Sequence, residues 1–133
     1  MNANPRFLEI DEVLYFHGNE IKRCEGSVEI RDIGALESAL AAPKATFAGE
    51  YLLGNLFEMA ATYANSICFN HPFLDGNKRT AALSALAFLY FNGYECYEEY
   101  EEEIADKILA LVTKEINKEE LAEYFRTHSK KVL

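Results

Sequence analysis

Ten consecutive residues, His71-Pro72-Phe73-Leu74-Asp75-Gly76-Asn77-Lys78-Arg79-Thr80, interrupt two long apolar helical patterns and limit what this chain can become. They place an imidazole, a carboxylate, a glycine, an amide and two cations in one short connection. Pro72 disfavours helical backbone at His71, which predicts that the preceding helix ends about there. After the Asp75-Gly76-Asn77 turn the pattern is helical again from about Lys78. A helix start presents unpaired N–H groups and the positive end of a dipole, which suits a phosphate. Asn77, Lys78 and Arg79 strengthen that reading, whereas Asp75 alone would repel the anion. A hard cation resolves the conflict, because Mg2+ bridges few carboxylates to substrate phosphates. His71 suits a base that takes a proton from an incoming hydroxyl. The stretch therefore predicts a site for a magnesium-bound nucleotide and a hydroxyl acceptor, with phosphoryl or nucleotidyl transfer between them.

The flanking patterns predict the scaffold. Leu52, Leu53, Leu56, Phe57, Ala60, Tyr63, Ala64, Ile67 and Cys68 recur at helical spacing, giving a helix over 52–70. Residues 78–91 give a second helix that is apolar almost all round, which predicts central burial. The phosphate site would then sit at the N-terminal end of the core helix. Asn92-Gly93 reads as its stop. Upstream, Phe7-Leu8-Glu9-Ile10 reads as extended, with Asp11 capping a helix that carries Val13, Leu14, Phe16, His17 and Ile21 and ends near Gly26. His17 beside that apolar stripe reads as a packed, hydrogen-bonded histidine or as a support for the site. Asp32 caps a short helix that Pro43 ends, and Arg31 reads by default as a surface or structural ion pair. Residues 43–51 lack a helical period, and Thr46 and Phe47 suit an extended segment. The acidic run from Glu98 to Glu103 reads as a solvated helix start. Ile104, Ile108, Leu111 and Val112 form the next buried stripe. Asn117 with Glu120 forms a capping box for a last helix, and His128 with Lys130-Lys131 reads as a frayed end. The expected fold is all-α, a single domain over 1–133 with about six helices and a short extended flap.

Composition narrows the partners. A net charge of −9 argues against nucleic acid as a direct partner and against an anionic membrane surface. No apolar run is long enough to span a bilayer, and the N-terminus lacks the form of a signal peptide. Cys24, Cys68 and Cys96 show no metal-ligand spacing and read as buried free thiols in a reducing cytoplasm.

The stretch from His71 to Arg79 resembles the Fic/Doc (Fido) superfamily, whose signature runs His-x-Phe-x-Asp/Glu-Gly-Asn-Gly/Lys-Arg. Arg31 to Leu40, Asn92-Gly93-Tyr94 and the opening Phe7-Leu8 to His17 are similar to its death-on-curing (Doc) branch. The resemblance implies that His71 is the general base and that Asp75 holds Mg2+. It implies that Gly76, Asn77, Lys78 and Arg79 bind the phosphates of ATP, with Phe73 anchoring the loop. A hairpin flap at Thr46 and Phe47 would align the target chain, an ordinary connection being the other reading. The second arginine usual in AMP-transferring members is Ala82 here, and Lys78 replaces a glycine. Both departures resemble Doc, which transfers the terminal phosphate of ATP to a threonine of elongation factor Tu. AMP transfer and a non-catalytic nucleotide-binding module remain the alternatives. The self-inhibiting Ser/Thr-x-x-x-Glu-Gly/Asn helix of other members finds no counterpart, since Ile21 precedes Glu25-Gly26 where Ser or Thr should stand. A toxin of this kind would need an antitoxin protein as its partner.

Overall fold

The structure is a computed structural model that describes residues 4–96 and 101–132, with the backbone alone at Glu101. Two antiparallel helices form its centre. α3 spans Leu56–Asn70 and α4 spans Asn77–Phe91, and these two pack together more extensively than any other pair of elements. Around them lie α1 (Ile10–Cys24), α2 (Ile33–Ala41), α5 (Glu101–Val112) and α6 (Lys118–His128). A short 3-10 turn, Ala42–Lys44, follows α2 and holds Pro43. Two small antiparallel sheets complete the fold: β1 (Thr46–Phe47) with β2 (Glu50–Tyr51), and β3 (Tyr94–Cys96) with β4 (Ser129–Lys131). The expected mainly helical architecture is the one observed.

Local chemistry explains the boundaries and several differences from expectation. α3 begins at Leu56 rather than residue 52, because the Asn55 Oδ1 accepts the Glu58 N–H at 2.9 Å and caps it there. Leu52 instead closes the hairpin, donating its N–H to the Ala45 carbonyl at 2.9 Å. α1 is capped two residues earlier than Asp11 implies, at Glu9, with the Glu12 carboxylate accepting the Glu9 N–H at 2.8 Å. Asp32 and Asn117 cap α2 and α6 as expected, through the Ala35 and Glu120 N–H groups.

α4 is not apolar all round in its environment. Its core face is Asn77, Thr80, Ala81, Ser84, Ala85, Phe88 and Leu89, with three polar side chains on the buried stripe. Tyr90 is exposed, and Leu83 and Leu86 face a groove toward α5. The core around α3 is aromatic and tight. The Tyr63 hydroxyl accepts the Leu8 N–H at 3.0 Å, and burial pushes its phenol up to about 12. Phe88 lies against both Tyr63 and Phe7.

The C-terminal segment is not frayed. Ser129–Lys131 pairs with Tyr94–Cys96, and His128 stacks on Tyr124 with ring centroids 4.0 Å apart. The expected burial of all three thiols fails at Cys24, which is exposed, while Cys68 and Cys96 are half-buried. Of the acidic run, Glu98 to Tyr100 lie outside the described residues; α5 begins at Glu101 and buries Ile104, Ile108 and Leu111. Among the described residues no helix is long and apolar enough to cross a membrane.

Candidate active site

The loop between α3 and α4 sorts its residues by direction. Pro72, Phe73, Asn77 and Thr80 are buried, while His71, Asp75, Lys78 and Arg79 are exposed. The buried members fix the loop. Asn77 bridges it, accepting the Phe73 N–H at 3.0 Å and donating to the Phe73 carbonyl at 2.8 Å. The Asn77 amide is thus engaged within the loop, and its backbone N–H is what it can offer to an anion. The Phe73 ring is fully buried and stacks on His17, with centroids 3.7 Å apart and planes 9° apart. His17 Nε2 donates to the Asp75 carbonyl at 2.8 Å. Both readings of His17 therefore meet in one residue: it is packed in the core, and it supports the loop.

The exposed members surround a cleft of about 600 Å³. Asp75, Gly76, Lys78 and Arg79 line one side with His71, and Glu20 and Ile21 of α1 line another. Gly76 stands at the N-cap of α4 with φ +82°, and among the described residues no side chain caps that helix. A Cβ at Gly76 would sit 3.2 Å from the Ile21 Cδ1 and 3.5 Å from the His17 Cδ2. The glycine thus serves both the left-handed turn and the close packing on α1. The first-turn N–H groups of α4 lack intrahelical partners by geometry, and the residues that carry them, Asn77, Lys78 and Arg79, line the cleft, an arrangement that suits an anion. Arg79 is half-exposed and reaches Glu20 at 3.6 Å, an ion pair loose enough for a phosphate to replace.

Asp75 lines the same cleft. Its Oδ2 accepts the Ser27 N–H at 2.9 Å, and Gly26 packs against its side chain. Among the described residues no group of three His, Cys, Asp or Glu side chains could hold a metal alone. A cation at Asp75 would complete its shell with phosphate and water oxygens, which is the habit of Mg2+. Asp75, the loop's carboxylate on the cleft, is the residue that would hold such an ion.

Several participants escaped sequence reasoning. Among the described residues Arg31 forms no ion pair. Its Nε donates to the His71 carbonyl at 2.6 Å and its Nη2 to the Asn70 carbonyl at 2.9 Å, at the C-terminus of α3. Pro72 keeps His71 out of the right-handed helix and α3 ends there as expected, with His71 as its C-cap in the left-handed region (φ 50°, ψ 55°). The segment beside the loop is 27–32. Ile30 and Phe73 form an antiparallel bridge, flanked by Leu74 N–H to Glu29 carbonyl at 3.1 Å and Arg31 N–H to Pro72 carbonyl at 2.7 Å. The apolar–polar alternation Val28-Glu29-Ile30-Arg31 was the signal for it.

The hairpin expected to be the flap exists, but it stands at the other end of α3. A 15-residue helix separates Asn55 from His71, about 22 Å at 1.5 Å per residue. Tyr51 of the hairpin packs on Phe7, away from the cleft, and neither Thr46 nor Phe47 lines it.

A model of the Fic/DOC family matches residues 7–89, well over half of the chain and the whole of this site. The chain belongs to the Fic/DOC family. Curated relatives place it near one branch of that family. It is 34% identical over 121 residues to "Protein kinase doc" of Escherichia phage P1, covering 91% of this chain and 94% of that protein. It is 36% identical over 84 residues to "Toxin Doc" of Mycolicibacterium smegmatis, covering 63% of this chain and 65% of that protein, just under two thirds of its length. The Fic/DOC signature thus coincides with the loop whose exposed residues share the cleft.

Proposed function

We propose that this chain is a Doc-like toxin that transfers the terminal phosphate of ATP to a serine or threonine hydroxyl of a target protein such as elongation factor Tu. The carrying observation is that His71, Asp75 and the uncapped N-terminus of α4, with Lys78 and Arg79, share one cleft. The relative named as a protein kinase, alike over nearly its full length, supports phosphate rather than AMP transfer. So does Ala82, one turn beyond Arg79, where a second phosphate-clamping arginine would stand.

In this reading the first-turn amides of α4, Lys78 and Arg79 hold the phosphate oxygens, and Glu20 releases Arg79 to them. Asp75 would hold Mg2+, which when bound supplies charge neutralisation to the phosphates. His71 takes the proton of the target hydroxyl. The hydroxyl oxygen bonds to the γ-phosphorus, the bond from that phosphorus to the β–γ bridging oxygen breaks, and ADP leaves. Positioning and charge stabilisation do most of the work in such transfers.

Target alignment passes from the hairpin to segment 27–32. In the bridge with Phe73, the Ile30 N–H and carbonyl point away from the loop, leaving an edge to which a target strand can add. Val28, Ile30 and Leu74 expose apolar side chains beside it. An antitoxin protein is the expected brake on such a toxin, and the cytoplasm its expected compartment.

The test is expression from a tightly controlled promoter beside His71→Ala. Growth arrest by the wild type alone supports toxic chemistry at this loop. Arrest by both soluble proteins would mean toxicity through binding, and arrest by neither would remove the toxin reading.

A further inference from the structure

We infer that Arg31 is a positioning residue that sets where the His71 imidazole stands during transfer. The inference rests on the transfer reading above for its kinetic consequence and on geometry alone for its structural one. Among the described residues no hydrogen bond holds the His71 ring itself, so the backbone at residue 71 decides where the ring points. That backbone is left-handed, a region uncommon for a residue with a Cβ. It stays there only if its surroundings hold it.

The two sides of His71 are held by different means. On the C-terminal side, Asn77 and the His17–Phe73 stack fix the chain from within the core. On the N-terminal side stands Arg31. Its guanidinium fork spans the Asn70 and His71 carbonyls, and its own N–H meets the Pro72 carbonyl at 2.7 Å. Three successive carbonyls, at 70, 71 and 72, thus end on one residue. The first two terminate α3, where unpaired carbonyls and the negative end of the dipole favour a cation. Lysine cannot substitute fully, because a single ammonium on a flexible stem does not present the rigid fork that reaches two acceptors together. Arg31 is also solvent-exposed, so its truncation leaves no buried cavity and the fold should survive.

The experiment compares the wild type with Arg31→Ala, Arg31→Lys, His71→Ala and the Arg31→Ala/His71→Ala double variant. It measures transfer from γ-labelled ATP to purified bacterial elongation factor Tu. A second measurement, ring-carbon NMR relaxation of His71, needs no transfer. We expect Arg31→Ala to lower kcat by roughly 10- to 100-fold, the scale of a misplaced catalytic group, with the ATP KM within about 2-fold. Arg31→Lys recovers only part of the loss. In the His71→Ala background, removing Arg31 changes the residual rate by less than about 2-fold, since two residues acting through one base are not additive. The His71 ring becomes more mobile in Arg31→Ala. An equal loss in both backgrounds, a loss carried by KM, or a ring as ordered as in the wild type would overturn the inference. If the wild type transfers nothing to the factor, the transfer reading fails there, and ring mobility alone decides the role of Arg31.

Discussion

The loop 71–76 and the hairpin 46–51 sit at opposite ends of α3, and each contains two left-handed residues. Those are His71 and Gly76 in one, and Ala48 and Gly49 in the other. The hairpin is closed by its own backbone: a two-residue turn joins Thr46–Phe47 to Glu50–Tyr51, and Phe47 at its edge is 76% exposed. The loop is closed by the rest of the molecule. α1 contributes His17, segment 27–32 contributes Arg31 and the Ser27 N–H, and α4 contributes Asn77. A local turn needs only suitable residues. A reactive loop needs neighbours that hold each exposed group where it must act.

Substitutions in the two regions should therefore differ sharply. His71→Ala should lower transfer by about 10³-fold, the range for loss of a general base, with an unchanged Tm. A Tm that falls with the activity would mean that the imidazole holds the loop as well. Asp75→Asn should cost roughly 100-fold, and EDTA should abolish transfer in the wild type without unfolding it; full activity in chelator would remove the magnesium assignment. Asn77→Ala leaves buried Phe73 groups unpaired and should cost about 2 kcal/mol of stability, the scale of an unsatisfied buried amide, read from the shift in a denaturant midpoint. Loss of activity with full stability would instead point to direct phosphate contact by its side chain. Phe47→Ala should leave transfer within about 2-fold of wild type. A loss of 10-fold or more there would restore the hairpin as a target-aligning flap and break the contrast between the two ends.

The thiols offer a smaller check on the same packing. Burial pushes the Cys68 thiol up to about 11, with Lys78 pulling weakly the other way. Cys24 is exposed at the cleft rim. A maleimide at neutral pH should label Cys24 first and leave Cys68 largely unlabelled; equal labelling would mean that the end of α3 opens readily.

Much of this site was legible because its residues are consecutive. From Pro72 to Lys78 the two helix boundaries could be read from spacing and type, and the family resemblance pointed to Phe73 as the loop's anchor. The central helix pair was legible from its periodicity. Contacts between distant segments were not. Arg31 reads as a surface cation because nothing local shows that the end of α3 comes to it. β3 and β4 are each three residues long and 32 residues apart, so neither carries a pattern strong enough to announce the other. The hairpin at 46–51 has the form expected of a flap, and only the 15-residue length of α3 shows that it stands away from His71. The polar stripe Asn77, Thr80 and Ser84 on α4 was hidden by the apolar residues around it, and one of its members proves to be the clasp of the loop.

The most direct test gives purified protein, with magnesium and lysate proteins as acceptors, ATP labelled at either the α or the γ phosphorus. The account predicts that γ label alone enters a protein band, at a hydroxyl residue, and that His71→Ala abolishes it. Entry of the α label would contradict it and make the chain an AMP transferase; entry of neither would leave a binding module.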